Sequence, residues 1–263
     1  MNIEIINPSS PGASFTENTN QTILQTFQWI EERGYPIIDF KEMRQSLQKE
    51  FGINDNNARN IFPLLKNCGF INYSKGVKVD THSFLSKTGL AYAKAIEIEN
   101  NISSQQLSQS SKAKALNGVE TIKENLIYGG LKNLIISSEA NYCQTFKNVI
   151  SFLLMYNKIN KNEFAALVYY YDKNSITFLK DINETITNYR NDVIDIKVTV
   201  NVRDDTHGIG GQNLSKRKES IGFLTSFGYF IGLLVQSGLA FKEDDYYQIF
   251  ESKIAKIKVL LED

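Results

Sequence analysis

From residue 21 onward, apolar side chains recur at helical spacing. Ile23, Leu24, Phe27 and Ile30 share one face until Gly34, Tyr35 and Pro36 stop the pattern. Asp39 then predicts a capped second helix, because its carboxylate accepts the free amide hydrogens of the next turn. Met43, Leu47 and Phe51 form its stripe and Gly52 ends it. Residues 54–68 predict a third helix: Asn54 caps it, Ala58, Ile61, Leu64 and Leu65 face inward, and Gly69 suits the left-handed position after the last turn. Pro63 lies deep in this helix and predicts a kink or break. Residues 70–74 and 77–81 read as two short strands joined at Lys75-Gly76. Helical spacing returns over 84–99 through Leu85, Leu90, Ala93 and Ile96.

The pattern then weakens. Residues 100–118 carry Ser103, Ser104, Gln105, Gln106, Ser108, Gln109, Ser110 and Ser111, which predicts a linker or an exposed helix with a domain boundary nearby. Residues 118–138 read as a helix with an irregular pattern around Gly129-Gly130, ending in the apolar run 134–136. The second half repeats the first in outline. Residues 142–156 form a helix with Phe146, Val149, Ile150, Leu153 and Leu154 inward, and Asn160 with Glu163 predicts a reciprocal cap for a helix reaching Tyr171. Residues 175–190 form a third helix, and 192–215 are polar and strand-tinged. A strongly apolar helix then ends in Leu233-Leu234, followed by a hairpin tip at 242–245, a return strand at 246–250 and a last helix at 252–261. The first twenty residues, polar and bearing Pro8, Ser9, Ser10, Pro11 and Gly12, read as a loose arm that does not fit a signal peptide.

Two junctions of the form Leu-Leu-x-x-x-Gly-apolar, at Leu64 and Leu233, hold the same place relative to their helices. Three helices, a hairpin and a closing helix, with Leu64-Leu65-Lys66-Asn67-Cys68-Gly69-Phe70-Ile71 at the turn from helix into strand, resemble the winged-helix DNA-binding fold over about eighty residues. The expected fold class is therefore mostly α with small β-hairpins (α+β), in two winged-helix-like modules. The expected division is a flexible arm at 1–20, a first module at 21–99, a connecting segment at 100–138 and a second module at 139–263.

Composition narrows the classes. The 263 residues balance Lys plus Arg against Asp plus Glu at 29 each, so long-range attraction to a polyanion gains nothing from the total. That disfavours a nonspecific DNA-coating protein and leaves a sequence reader with a local basic patch. Cys68 and Cys143 lie far apart, and His82 and His207 share no ligand spacing with them, so neither a disulfide framework nor a zinc site is indicated; a reducing, cytoplasmic setting fits. The most apolar stretch, residues 221–235, is interrupted by glycines and falls short of the roughly 20 residues of a bilayer span, so it reads as a buried helix.

Two clusters carry candidate chemistry. Asn54, Asn56, Asn57, Arg59 and Asn60 would face outward on the third helix, with side chains suited to base edges in a major groove. Lys75 and Lys78 would lie on the adjoining hairpin, where phosphates pass. The plain alternative is a solvated, well-capped helix start, since Asn favours caps on backbone grounds alone. In the second half, Arg203, His207, Gly208, Gly210, Gly211, Gln212 and Asn213 lead into Lys216, Arg217 and Lys218 at an expected helix start, as a phosphate-binding patch or as a surface loop with a charged helix end.

Enzymatic motifs fare worse. Residues 208–211 lack the spacing of a nucleotide loop. Asp181 followed by Asp195-Ile196-Lys197 is similar to the acidic pair plus lysine of restriction-type nucleases, but Asp181 falls in a helical pattern. No catalytic residue, metal or cofactor is assigned. The arrangement resembles the recognition parts of some type II restriction endonucleases and phage-defence proteins, and also plasmid replication initiators. What the resemblance implies is recognition of double-stranded DNA, alone or with a second copy or a partner protein. A metal-dependent nuclease and a winged-helix interaction scaffold are the alternatives.

Overall fold

The computed structural model describes residues 1–74, 76–136, 140–172, 178–201 and 218–262, without the side chains of residues 56, 172, 178–180, 218 and 219. It is mostly helical with three small sheets, and it divides into two compact units. The first comprises Pro11–Ala140 with Gly232–Leu239; the second comprises Met1–Ser10, Asn141–Ile231 and Ala240–Glu262. Among the described residues no helix is long and apolar enough to cross a membrane.

The chain opens with β1 (Asn2–Ile6), which belongs to the second unit. The first unit follows as α1 (Glu17–Glu32), β2 (Ile37–Ile38), α2 (Phe40–Phe51), α3 (Asp55–Asn67), β3 (Val79–Asp80), the single turn α4 (Thr81–Phe84), α5 (Lys87–Ser104) and α6 (Gln109–Ile136). Asp39 caps α2 as its position predicts, accepting from the amides of Lys41 (2.7 Å) and Glu42 (3.4 Å), and Gly52 closes the helix at φ 70°. Pro63 does not end α3, which runs through it. Its ring lies on the exposed face while Phe62, Leu64 and Leu65 on either side are buried, so the packed side holds the helix despite one lost backbone bond. Residues 70–74 and 77–81 do not pair as a hairpin. Val79 and Asp80 instead pair antiparallel with Ile38 and Ile37, and Ile71 makes one bridge to Leu85.

The segment expected as a linker or exposed helix over 100–118 and as a helix over 118–138 is largely helical. Residues 100–104 continue α5 and residues 109–136 form α6, and these two helices pack together. Lys123 of α6, 7% exposed, holds Glu99 of α5 and Glu120 at 2.9 Å each. Burial alone would lower the Lys123 pKa, but the hydrogen bonds to Glu120 and Glu99 outweigh it and raise the value. The helix expected over 118–138 has Val119, Ile127, Leu131 and Leu134 as its inner stripe, and α6 extends it back to Gln109.

The second unit contains α7 (Cys143–Tyr156), β4 (Lys158–Ile159), α8 (Lys161–Asp172), α9 (Phe178–Arg190), β5 (Lys197–Asn201), β6 (Lys218–Ser220), the first part of α10 (Thr225–Gln236), β7 (Ala240–Glu243), β8 (Tyr246–Ile249) and α11 (Ile254–Val259). One sheet has the order β4-β8-β7, and its β7–β8 hairpin turns at Asp244, φ 53°. The other has the order β1-β5-β6, with β1 and β5 parallel in the register Ile3↔Val198 and Ile5↔Val200. The opening residues are thus a strand rather than a loose arm. Ile3 and Ile5 alternate inward, and the Asn7 carboxamide accepts from the Ser226 hydroxyl (2.7 Å) and amide (3.4 Å) at the start of α10. Residues 11–20 of the supposed arm belong to the first unit, where Phe15 is buried and α1 already begins at Glu17.

The reciprocal cap at Asn160 and Glu163 forms as predicted: the Glu163 amide donates to Asn160 Oδ1 (2.9 Å) and the Asn160 amide to Glu163 Oε2 (3.2 Å). Glu163 has no exposed side-chain surface, and Arg190 compensates its charge through Nε (2.6 Å) and Nη2 (3.1 Å). Arg190 also donates to the carbonyls of Tyr156 (3.1 Å) and Lys158 (2.7 Å), which joins the ends of α7, β4, α8 and α9.

Gly89 in α5 sits against the backbone after α3; a Cβ there would lie 1.9 Å from the Phe70 carbonyl oxygen, whereas one at Gly118 in α6 would meet nothing within 4 Å. Gly89→Ala is therefore expected to destabilise the first unit by about 3 kcal/mol or more, and Gly118→Ala to stabilise it by up to about 1 kcal/mol through helix propensity. Urea denaturation of both variants checks this pair of opposite signs.

Candidate nucleic-acid interface

The outer face of α3 in the first unit is where most of the described candidate residues gather. The inner face, Ala58, Ile61, Phe62, Leu64 and Leu65, is buried and fixes the rotation of the helix. Arg59, Pro63 and Lys66 then fall at i, i+4 and i+7 on the exposed side, with Asn60 beside them and Asn57 in the first turn. Asn54, which precedes the helix, is exposed. Asn60 is exposed but committed on one side: its amide lies over Gly12, where an added Cβ would come within 3.3 Å of Asn60 Oδ1.

Arg59 Nη2 lies 2.8 Å from Asp55 Oδ2, one helical turn back, and Arg44 Nη1 of α2 lies 2.6 Å from Asp55 Oδ1. The two arginines share one carboxylate and leave a net positive charge at the start of α3. Arg44 is the more buried, with its guanidinium 5.5 Å from the centre of the Phe40 ring and its Nε buried without a hydrogen-bond partner. Phe40 stacks on Tyr73 at 4.3 Å, and Lys66 Nζ lies 5.0 Å from the Tyr73 ring. Burial pushes the Tyr73 hydroxyl pKa up, and the Arg44 charge opposes that shift. The surface thus combines an exposed polar face with a cationic and aromatic margin. Over residues 39–80 seven basic residues stand against five acidic ones in a chain whose total is neutral.

Lys78 is exposed next to β3. Lys75, Arg203, Lys216 and Arg217 lie outside the described residues, as do His207 and the glycines after it, and the side chains of Asn56 and Lys218 are not described. Lys218 does not start a helix: it opens β6 and pairs with Asn201 of β5, because the apolar helix begins only at Thr225. That helix, α10, carries no Lys, Arg, Asp or Glu between Thr225 and Gln236, so it offers no charged counterpart to the α3 face.

Lys66 and Arg44 were not among the sequence candidates. Lys66 was findable from its spacing to Arg59, and Arg44 from its place one turn after Phe40 on an amphipathic helix. The nuclease-like residues lie on or beside separate elements. Asp181 is on α9, Asp195 is exposed before β5, and Lys197 opens β5. Among the described residues no group of three His, Cys, Asp or Glu is placed to hold a metal ion.

No protein-family model, curated protein or solved structure matches this chain.

Arg59 on α3 and Arg44 on α2 divide into an exposed and a largely buried partner of Asp55, and stability measurements should separate them. Arg59 is mostly exposed, so Arg59→Ala should change unfolding free energy by less than about 1 kcal/mol. Arg44→Ala removes a largely buried side chain from Phe40 and from Asp55, and should cost about 1–2 kcal/mol. Equal effects in urea denaturation would contradict this division.

Proposed function

We propose that this chain binds double-stranded DNA and that α3 is the recognition helix of a winged-helix module. The observation that carries the reading is the two-sidedness of α3: a fully packed inner face sets an outer face of Arg59, Asn60 and Lys66, with Asn57 in the first turn. An α-helix fits the major groove, where arginine pairs with guanine and asparagine with adenine at about 1–3 kcal/mol of discrimination for each bidentate contact. The element order supports it. Between α1 and α2 lies β2, which pairs with β3 after α3, as the first and last strands of a winged helix do; Lys78 then belongs to the wing.

The second unit supports the same topology with a different use. The order α7, β4, α8, then α10, β7 and β8, with the sheet order β4-β8-β7, fits the proposal of a winged helix into which α9, β5 and β6 are inserted. Its third helix is uncharged, so base reading falls to the first module. Any DNA contact of the second module would come from the insertion, through Arg203, Lys216, Arg217 and Lys218, as a sequence-independent phosphate clamp.

The test is a mobility-shift titration on random duplex DNA at several salt concentrations. Affinity should fall as salt rises, and Lys66→Ala and Lys78→Ala should each flatten the logarithmic salt dependence by about one unit without altering sequence preference. An absence of binding at low salt would contradict the proposal.

A further inference from the structure

We infer that Asp55 is the positioning residue of sequence recognition: it orients Arg59 toward a guanine base rather than contacting DNA itself. This rests on the DNA-reading proposal above. An exposed arginine normally spends conformational entropy when it docks on a base edge, and a group that restrains it in the free protein removes part of that cost. Here the restraint is a chain of contacts leading out from the packed interior of the first unit. Phe40 packs edge-on against the buried Phe62 at 5.5 Å and carries the Arg44 guanidinium. Arg44 grips Asp55 Oδ1 at 2.6 Å, and Asp55 Oδ2 holds Arg59 Nη2 at 2.8 Å. Each carboxylate oxygen serves one arginine, so Asp55 cannot turn without breaking a contact at its anchored end.

A carboxylate near DNA also opposes phosphate binding. Asp55 therefore costs affinity for every sequence and gains selectivity for one. A residue that merely capped or stabilised α3 would affect all duplexes alike, and this difference is what an experiment can read.

The wild-type protein is used to select a preferred duplex from a randomised pool, and each base pair of that duplex is then exchanged in turn. Asp55→Asn keeps the size of the side chain and removes its charge; Asp55→Glu keeps the carboxylate. With thermal melts run to check folding, Asp55→Asn should bind random duplex as tightly as wild type or more tightly. Its discrimination at one G·C pair should fall on the order of tenfold, and the pair should be the one at which Arg59→Ala loses discrimination. Asp55→Glu should recover most of that ratio. Wild-type discrimination in Asp55→Asn, or an equal loss on preferred and exchanged duplexes, would overturn the inference while leaving DNA binding intact. If the wild-type protein binds no duplex, the DNA-reading proposal fails, and the role of Asp55 fails with it.

Discussion

The first unit depends on the seat of Phe70. Its backbone amide donates to the Leu65 carbonyl (2.8 Å) across Gly69, whose φ of 73° turns the chain out of α3. Its ring meets Phe15 at 5.1 Å and Tyr92 at 5.2 Å, and it leaves room for no side chain at Gly130, where a Cβ would be 2.6 Å from the ring. Its carbonyl accepts from the Ser86 amide (3.0 Å) and lies against Gly89. The segment before α1, the end of α3, the start of α5 and the middle of α6 are therefore fitted to one residue. Because α3 is held at its end by that residue and along its length by its buried face, its outer side chains keep a defined direction.

The second unit is held by a different device, the buried pair of Glu163 and Arg190 at the meeting of α7, β4, α8 and α9. Removing one partner of such a pair strands a charge, typically at a cost of about 3–5 kcal/mol. Around it an aromatic core forms from Phe146, Phe164, Phe227 and Phe230. Helix α10 contributes to that core: Phe227, Phe230 and Ile231 are buried, and its exposed positions include Thr225 and Gly228. The helices α3 and α10 thus differ sharply, one polar outside and one without any charge.

Local signals in the sequence were legible because their physics is local. The Asp39 cap, the Asn160 and Glu163 box, and the glycine junctions at Gly69 and Gly238 each involve residues within six positions of one another, and all four form. What failed was long-range or compositional. Ile3 and Ile5 alternate as a strand should, but the partner strand β5 lies some 195 positions on, and no local rule supplies it. The polar run from Ser103 to Ser111 left a linker and an exposed helix undecided, because only the buried stripe of α6, further along, reveals what the polar residues cover. The pairing of β3 with β2 rather than with residues 70–74 was hidden for the same reason, since two-residue strands carry no periodicity. At the candidate site, Arg59 and the asparagines were visible as residue types. The Arg44–Asp55 contact that organises them depends on the angle between two helices.

The proposal that the outer face of α3 meets DNA is tested most directly by following backbone amide resonances of the isotopically labelled full chain during titration with duplex DNA. The largest shifts are expected on residues 56–66, with further shifts around Lys78, while amides of the charge-free α10 stay in place. Shifts concentrated on α5 and α6, or on the apolar cleft lined by Phe152, Met155, Leu167 and Ile182, with α3 unmoved, would contradict it.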